Sequence, residues 1–206
     1  MRLPVTEHTR RPWRIHDIAP DFAVEDVWAF HTPGAGPDDF PVMLAALRAA
    51  GGPSGQPLLG RFLFAVRWRL GDLFGWDEPG QSLGSRVRSL RRQLPDDLSE
   101  CPAGTPPPNT PFTGVYEIDN ECALELANKT VHTVCHLSWV PIDNGEYELR
   151  MAALVKPNGL FGYLYMAAIK PFRYYLVYPG MTRQWERAWL NRTHPHTESL
   201  SGSRDR

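Results

Sequence analysis

The feature that most restricts this chain is a run of four strand-like segments from about Phe112 to Lys156, followed by a long aromatic segment, Gly159 to Leu190, at helical spacing. Alternation with period two marks a half-buried strand, and apolar residues three and four apart mark a helix face. Phe112 to Ile118 and Glu121 to Ala127 flank the turn Asp119-Asn120. Thr130 to Val140 sets Val131, Thr133, Cys135, Leu137 and Trp139 on one face. After a loop from Pro141 to Gly145, Glu146 to Lys156 does the same with Tyr147, Leu149, Met151, Ala153 and Val155. Pairing Val140 with Glu146 puts Trp139 opposite Tyr147 and Leu137 opposite Leu149. Both apolar faces then coincide, as a one-sided antiparallel sheet requires. Pro171 and Pro179 should kink or break the helical segment.

Upstream, residues 1–12 read as a flexible arm. Trp13, Ile15 and Asp17 share a parity that suits a short strand. From Asp21 to His31, Phe22, Val24, Trp28 and Phe30 alternate as one strand face; Asp26 breaks the pattern, and a helical turn from Asp21 competes. A helix with Phe40, Met43, Leu44 and Leu47 on one stripe starts at Pro37 and stops at Gly51. A second, Pro57 to Gly75, carries apolar residues widely enough to be largely buried. Ser85 is placed to cap a short helix through Val87, Leu90 and Leu94, ended by Pro95. Cys101 to Pro111 holds five prolines and reads as a loop. Residues 13–190 form one domain, and the polar tail 191–206 reads as disordered.

A chain of 206 residues buries roughly 70% of its unfolded surface, enough for one core. Its net charge of −1 gives no electrostatic case for nucleic acid as a partner. Of 22 basic residues 19 are Arg and 3 are Lys, the usage of a GC-rich genome. Three cysteines without CxxC spacing, and no apolar leader after Met1, suggest reduced thiols and a cytoplasmic setting. The sequons at Asn128 and Asn191 are then chance matches.

The short motifs are weak. Gly80-Gln81-Ser82-Leu83-Gly84 matches a nucleophile elbow, but the turn-forming Asp77-Glu78-Pro79 stands where a strand is needed. His132 and His136 have a chelating spacing on a helix; on a strand they lie roughly 13 Å apart, and their parity reads as solvent-facing, with His136 opposite Arg150. His194 and His196 in the tail are a still weaker metal hint. Arg86, Arg88, Arg91 and Arg92, with Ser85 and Ser89, suit either a phosphate or carboxylate site or a solvated face, with the solvated face preferred. Gly34-Ala35-Gly36-Pro37 lacks the third glycine of a dinucleotide fingerprint. No cofactor and no metal site is expected.

The order strand, two helices, antiparallel meander, long C-terminal helix resembles the helix-grip architecture of the START / polyketide-cyclase-like (SRPBCC) superfamily. More closely, several phrases over about residues 8–190 look like an uncharacterised family of bacterial, mainly actinobacterial, domain-of-unknown-function proteins. They are Arg11-Pro12-Trp13-Arg14-Ile15-His16, Gly75-Trp76-Asp77, Leu83-Gly84-Ser85-Arg86, Asn128-Lys129-Thr130-Val131-His132, and Val155-Lys156-Pro157-Asn158-Gly159 leading to Ile169-Lys170-Pro171-Phe172-Arg173. The resemblance implies an α+β fold in which a curved antiparallel sheet is gripped by the Pro-kinked C-terminal helix. It also implies a pocket between them for lipophilic or aromatic small molecules, and carries over no catalytic residue.

That pocket is expected between Tyr116, Trp139, Tyr147, Leu149 and Met151 on the sheet and Tyr165, Ala168, Phe172 and Tyr175 on the helix, with tyrosine hydroxyls and Arg67 fixing orientation. The expected partner is a hydrophobic small molecule, unidentified. A cyclase- or aromatase-like enzyme would need an inward titratable group, and the best strands offer only tyrosine. A membrane span is disfavoured by the prolines, tyrosines, Lys170 and Arg173 within Leu160 to Met181. Contact with a protein or a membrane surface through this segment is the remaining alternative. Oligomeric state is not legible.

Overall fold

The computed structural model describes residues 1–50, 87–108, 110–128 and 131–192. The helix expected over Pro57 to Gly75, Arg67, the Gly80–Gly84 motif, Ser85, Arg86 and the tail from 193 onward lie outside the described residues. So do the side chains of Tyr165, Ala168 and Phe172.

The alternating segments pair as a six-stranded antiparallel sheet in the order β1-β2-β6-β5-β4-β3. The strands are β1 (Arg2–Leu3), β2 (Ala23–Phe30), β3 (Thr113–Ile118), β4 (Glu121–Ala127), β5 (Val131–Pro141) and β6 (Tyr147–Pro157). The meander β3 to β6 follows the expectation from sequence, and β2 returns to pair with β6. The hairpin register differs: Trp139 lies opposite Leu149, Leu137 opposite Met151 and Pro141 opposite Tyr147. The shift is two residues, and because side chains alternate with period two every one of them keeps its face. Gly145 closes the connecting loop at φ 81°, with its N–H on the Ile142 carbonyl at 3.0 Å.

Two bulges change what sequence parity predicts. Between Val24 and Asp26 the β2–β6 register slips, with Glu25 as the extra residue. Phe22 and Val24 therefore pack on one face of the sheet, and Trp28 and Phe30 on the other. The β3–β4 register slips likewise between Gly114 and Tyr116, which turns Tyr116 away from Trp139. A bulge inserts one residue and reverses the alternation beyond it, a shift that hydrophobic pattern alone does not reveal.

Helices cover one face. The turn Pro37–Asp39, where the Asp39 carboxylate accepts the Gly36 N–H at 2.8 Å, leads into α3 (Phe40–Ala50). The stripe Phe40, Met43, Leu44 and Leu47 joins Trp139, Leu149, Met151, Tyr178 and Trp189 in the larger core cluster. The C-terminal segment is continuous: α5 (Gly159–Phe172) contains Pro171, a π-helical turn spans Arg173–Val177, and α6 (Tyr178–Leu190) begins with Pro179 in its first turn. The rod runs through both prolines, Pro171 inside α5 and Pro179 in the first turn of α6, with the π-helical turn between them.

The opposite face is covered too, which corrects the one-sided reading. Residues 1–12, expected as a loose arm, form β1 on the edge of β2 and α1 (Thr6–Thr9), and His8 is buried. Trp13 to Asp17 is not a strand; α2 (Arg14–Ile18) puts Ile15 and Trp13 into a second core cluster. Where one helix was expected through Val87, Leu90 and Leu94, the described residues form a 3₁₀ turn Leu90–Gln93 capped by Ser89, followed by α4 (Asp96–Ser99), with Pro95 just before it. The Pro-rich loop then runs along β3, its Pro102 carbonyl accepting the Glu117 N–H at 2.8 Å. A Cβ on Gly114 would stand 2.0 Å from the Gly104 carbonyl oxygen, so only glycine fits under this loop.

Candidate functional site

On the helix-covered face the sheet presents an aromatic wall. Trp139 stacks on Tyr147 with centroids 6.3 Å apart, and lies 5.9 Å from both Phe40 and Trp189. The loop after β2 anchors both indoles. Trp139 Nε1 donates to the Gly36 carbonyl at 2.9 Å and Trp189 Nε1 to the Pro33 carbonyl at 3.0 Å. The loop Pro33–Gly36 thus supplies carbonyl acceptors to the core.

At the end of this wall lies a buried charge. The β2 bulge directs Asp26, 1% exposed, toward the π-helical turn. Its carboxylate accepts from Arg173, from the Tyr174 hydroxyl and, at 2.9 Å, from the Tyr178 hydroxyl. The Arg173 guanidinium also donates to the Tyr178 oxygen at 2.8 Å. Residues 173 and 178 are five apart, so the wider π turn brings both onto one carboxylate. Burial and then the Asp26 carboxylate push the Tyr174 hydroxyl up to about 12. Burial opposes the Arg173 charge, but Tyr178 and Asp26 outweigh it and raise its pKa. Beside this knot the Trp28 ring lies 4.6 Å from that of Tyr178, and Trp28 Nε1 is buried with no acceptor.

The opposite face carries a different chemistry. Glu121 and Glu125 point from β4 to the same side, and each takes a histidine from the diagonal position on β5. His136 Nε2 lies 3.0 Å from Glu121, and His132 Nε2 lies 2.9 Å from Glu125. Glu121 also accepts the Tyr116 hydroxyl at 2.9 Å and the Arg14 backbone N–H at 3.1 Å. Glu125 accepts the Ser89 hydroxyl at 2.5 Å and the Leu90 N–H at 3.1 Å. Burial works against both carboxylates, yet these donors, the histidines first, hold them below the usual range. An ionised Glu121 requires the proton of His136 on Nε2, which leaves Nδ1 as the acceptor for His8 Nε2–H at 3.0 Å. His8 Nδ1 is left as a bare lone pair, buried and unpartnered. Burial, then the neighbouring His136 and His16, drive the His8 pKa down to about 2, and burial lowers His136 against the pull of Glu121. His132 and His136 are therefore core residues, not solvent-facing ones, and His136 faces Ala152; Arg150 lies opposite Ser138 and pairs with Glu148 and Glu7.

Of the residues expected to form one pocket, Trp139, Leu149 and Met151 lie together in the aromatic face, with Tyr147 packed beside them. Tyr116 lies on the other face, and Tyr175 is 81% exposed. Within the basic cluster Arg88 and Arg92 are exposed, in keeping with a solvated face, whereas the half-buried Arg91 guanidinium clamps the carbonyls of Val115, Ser99 and Cys101. Cys101, Cys122 and Cys135 are free, and burial pushes the thiols of Cys122 and Cys135 up to about 12. Among the described residues no group of three or more His, Cys, Asp or Glu is arranged to hold a metal ion, and no helix is long and apolar enough to cross a membrane. Sequence reasoning missed Asp26, Trp28, Arg173, Tyr174 and Tyr178 as a unit. It also missed the Glu–His pairs, although equal i, i+4 spacing of glutamates and histidines on neighbouring strands was their signal.

No significant match is found among curated proteins or among solved structures. A family model described as a protein of unknown function (DUF2867) matches residues 18–181 of the 206, and the chain belongs to that family.

Proposed function

We propose that this chain is a helix-grip protein that binds a hydrophobic or aromatic small molecule between the aromatic face of the sheet and the segment Gly159–Leu190. The proposed walls are Trp28, Trp139, Tyr147, Leu149 and Met151 on the sheet side, with Tyr165, Ala168 and Phe172 from the helix and Arg67 as an orienting cation. Tyr116 and Tyr175 leave the set because of where their side chains lie. The observation that carries this reading is the buried Trp28 indole N–H without an acceptor. A buried donor left unpaired costs about 1–3 kcal/mol, and a flat apolar ligand with one oxygen acceptor would remove that cost. Titration with the fluorescent probe 1-anilinonaphthalene-8-sulfonate tests it. Saturable binding, weakened severalfold by Trp28→Phe with the fold intact, is expected; a native fold that gives no probe signal at any concentration contradicts it.

A cyclase-like catalyst in the same place would need a free titratable group on this face. Asp26 already accepts three donors there, so the binder is the better reading. The exposed apolar residues Leu160, Tyr163, Tyr175 and Val177 along the helical segment favour a second reading, docking of this segment on a lipid surface. Flotation with anionic liposomes separates the two: binding of the probe without flotation leaves only the first.

A further inference from the structure

His8 is the one fully buried residue of the N-terminal arm, residues 1–12. His8 is 2% exposed, and its ring lies 5.0 Å from that of His136 and 4.9 Å from that of His16. The remaining ties of residues 1–12 are peripheral. They include the pairing of Arg2 with Trp28 and of Leu3 with Val27, the Ala29 N–H on the Met1 carbonyl at 2.8 Å, the Met1 amino group on the Ala29 carbonyl, the Arg2 guanidinium 4.5 Å over the Tyr174 ring, the packing of Leu3 against the rim of the second core cluster, His16 Nε2 at 3.5 Å from the His8 carbonyl, and the Glu7–Arg150 ion pair. We propose that this arm is an acid-released latch, in which protonation of His8 frees residues 1–12 from the sheet and uncovers the Glu121–His136 pair beneath them.

The closed latch accepts only a neutral imidazole. His8 gives its one N–H to His136, so a second proton would have to sit on Nδ1, where no acceptor stands. The groups that face it do not compensate a positive charge. His136 comes from β5 and His16 from α2, both imidazoles; Glu121 of β4 reaches only as far as His136; Glu7 of the arm itself is committed to Arg150 of β6. Once the arm lifts, His8 meets water and titrates near 6.5. Opening therefore takes up a proton at acid pH and none at alkaline pH, and the opening equilibrium rises as pH falls. From pH 7.5 to 5.5 the rise is about tenfold for His8 alone, and about a hundredfold if His136 gains a proton as well.

Amide hydrogen exchange by NMR on the full chain, corrected for the intrinsic effect of pH, reads this directly. Protection of the Ala29 amide should fall by about ten- to a hundredfold between pH 7.5 and 5.5, while the amides of Val134 and Leu154 in the sheet centre change less. His8→Gln keeps a donor toward His136 but cannot be protonated, and should remove at least the tenfold part of that response. Equal protection of Ala29 at the two pH values, or a His8→Gln protein with the full response, overturns the latch. If His8→Gln does not fold, the imidazole resonances of His8 in the unaltered chain decide. Protonation must coincide with the loss of Ala29 protection, and protonation with the arm still protected overturns the proposal.

Discussion

On the helix-covered face of the sheet one carboxylate, Asp26, meets an arginine and two tyrosines; on the opposite face two carboxylates, Glu121 and Glu125, meet two histidines. Both arrangements satisfy buried oxygen atoms with three donors each, and both sit beside a β-bulge. They differ in what pH does to them. Arginine keeps its charge throughout the physiological range, so the Asp26 knot is a fixed staple between β2 and the π turn. Histidine changes charge within that range, so the other face is the one that responds to acid. A sheet with its charges divided in this way can hold its apolar, aromatic face constant while its other cover is titratable.

The largest effect that would break this comparison is removal of a carboxylate from the histidine face. Glu125→Ala leaves the Ser89 hydroxyl, the Leu90 N–H and His132 without their acceptor, and should cost about 3–5 kcal/mol in urea unfolding. A loss below about 1 kcal/mol would show that water replaces these contacts and that the face is not closed. Arg173→Ala strands the buried Asp26 in the same manner, but Arg173 is partly exposed, so about 2–3 kcal/mol is expected. That loss should be the same at pH 5.5 and 7.5, whereas the stability of the whole protein should not be.

The sign of the pH effect follows from the lowered histidines. A histidine held neutral in the fold contributes fully above its unfolded value of 6.5, and its contribution fades as pH drops below that value. The lowered glutamates act in the same direction, but only below about 4.5. Unfolding free energy should thus begin to fall near pH 6.5, by up to about 1.4 kcal/mol per pH unit for each histidine. A plateau down to pH 5 in equilibrium unfolding would contradict the histidine chemistry of this face. The smallest effect is expected at Tyr175, whose exposed ring should be replaceable by serine within about 0.5 kcal/mol.

Much of the architecture was legible because period-two patterning is imposed by burial itself. Leu137, Trp139, Leu149 and Met151 were assigned to one face correctly even though the hairpin register was two residues off. What the pattern could not show were the one-residue insertions at Glu25 and Val115, which reverse parity without changing composition. They account for the misplacement of Tyr116 and for the missed role of Asp26. The second cover was invisible for another reason. The elements α1, α2 and α4 span four to five residues each, too short for any helical period to register. The histidines of β5 then looked solvent-facing, since nothing in the sequence announced what lay over them.

Native mass spectrometry of the protein purified from its source organism tests the proposed lipophilic ligand against the aromatic face at Trp28. A discrete added mass of one small organic molecule, reduced or lost in Trp28→Phe, is expected. The bare chain mass from both proteins, each folded and each unresponsive to the fluorescent probe, would contradict it.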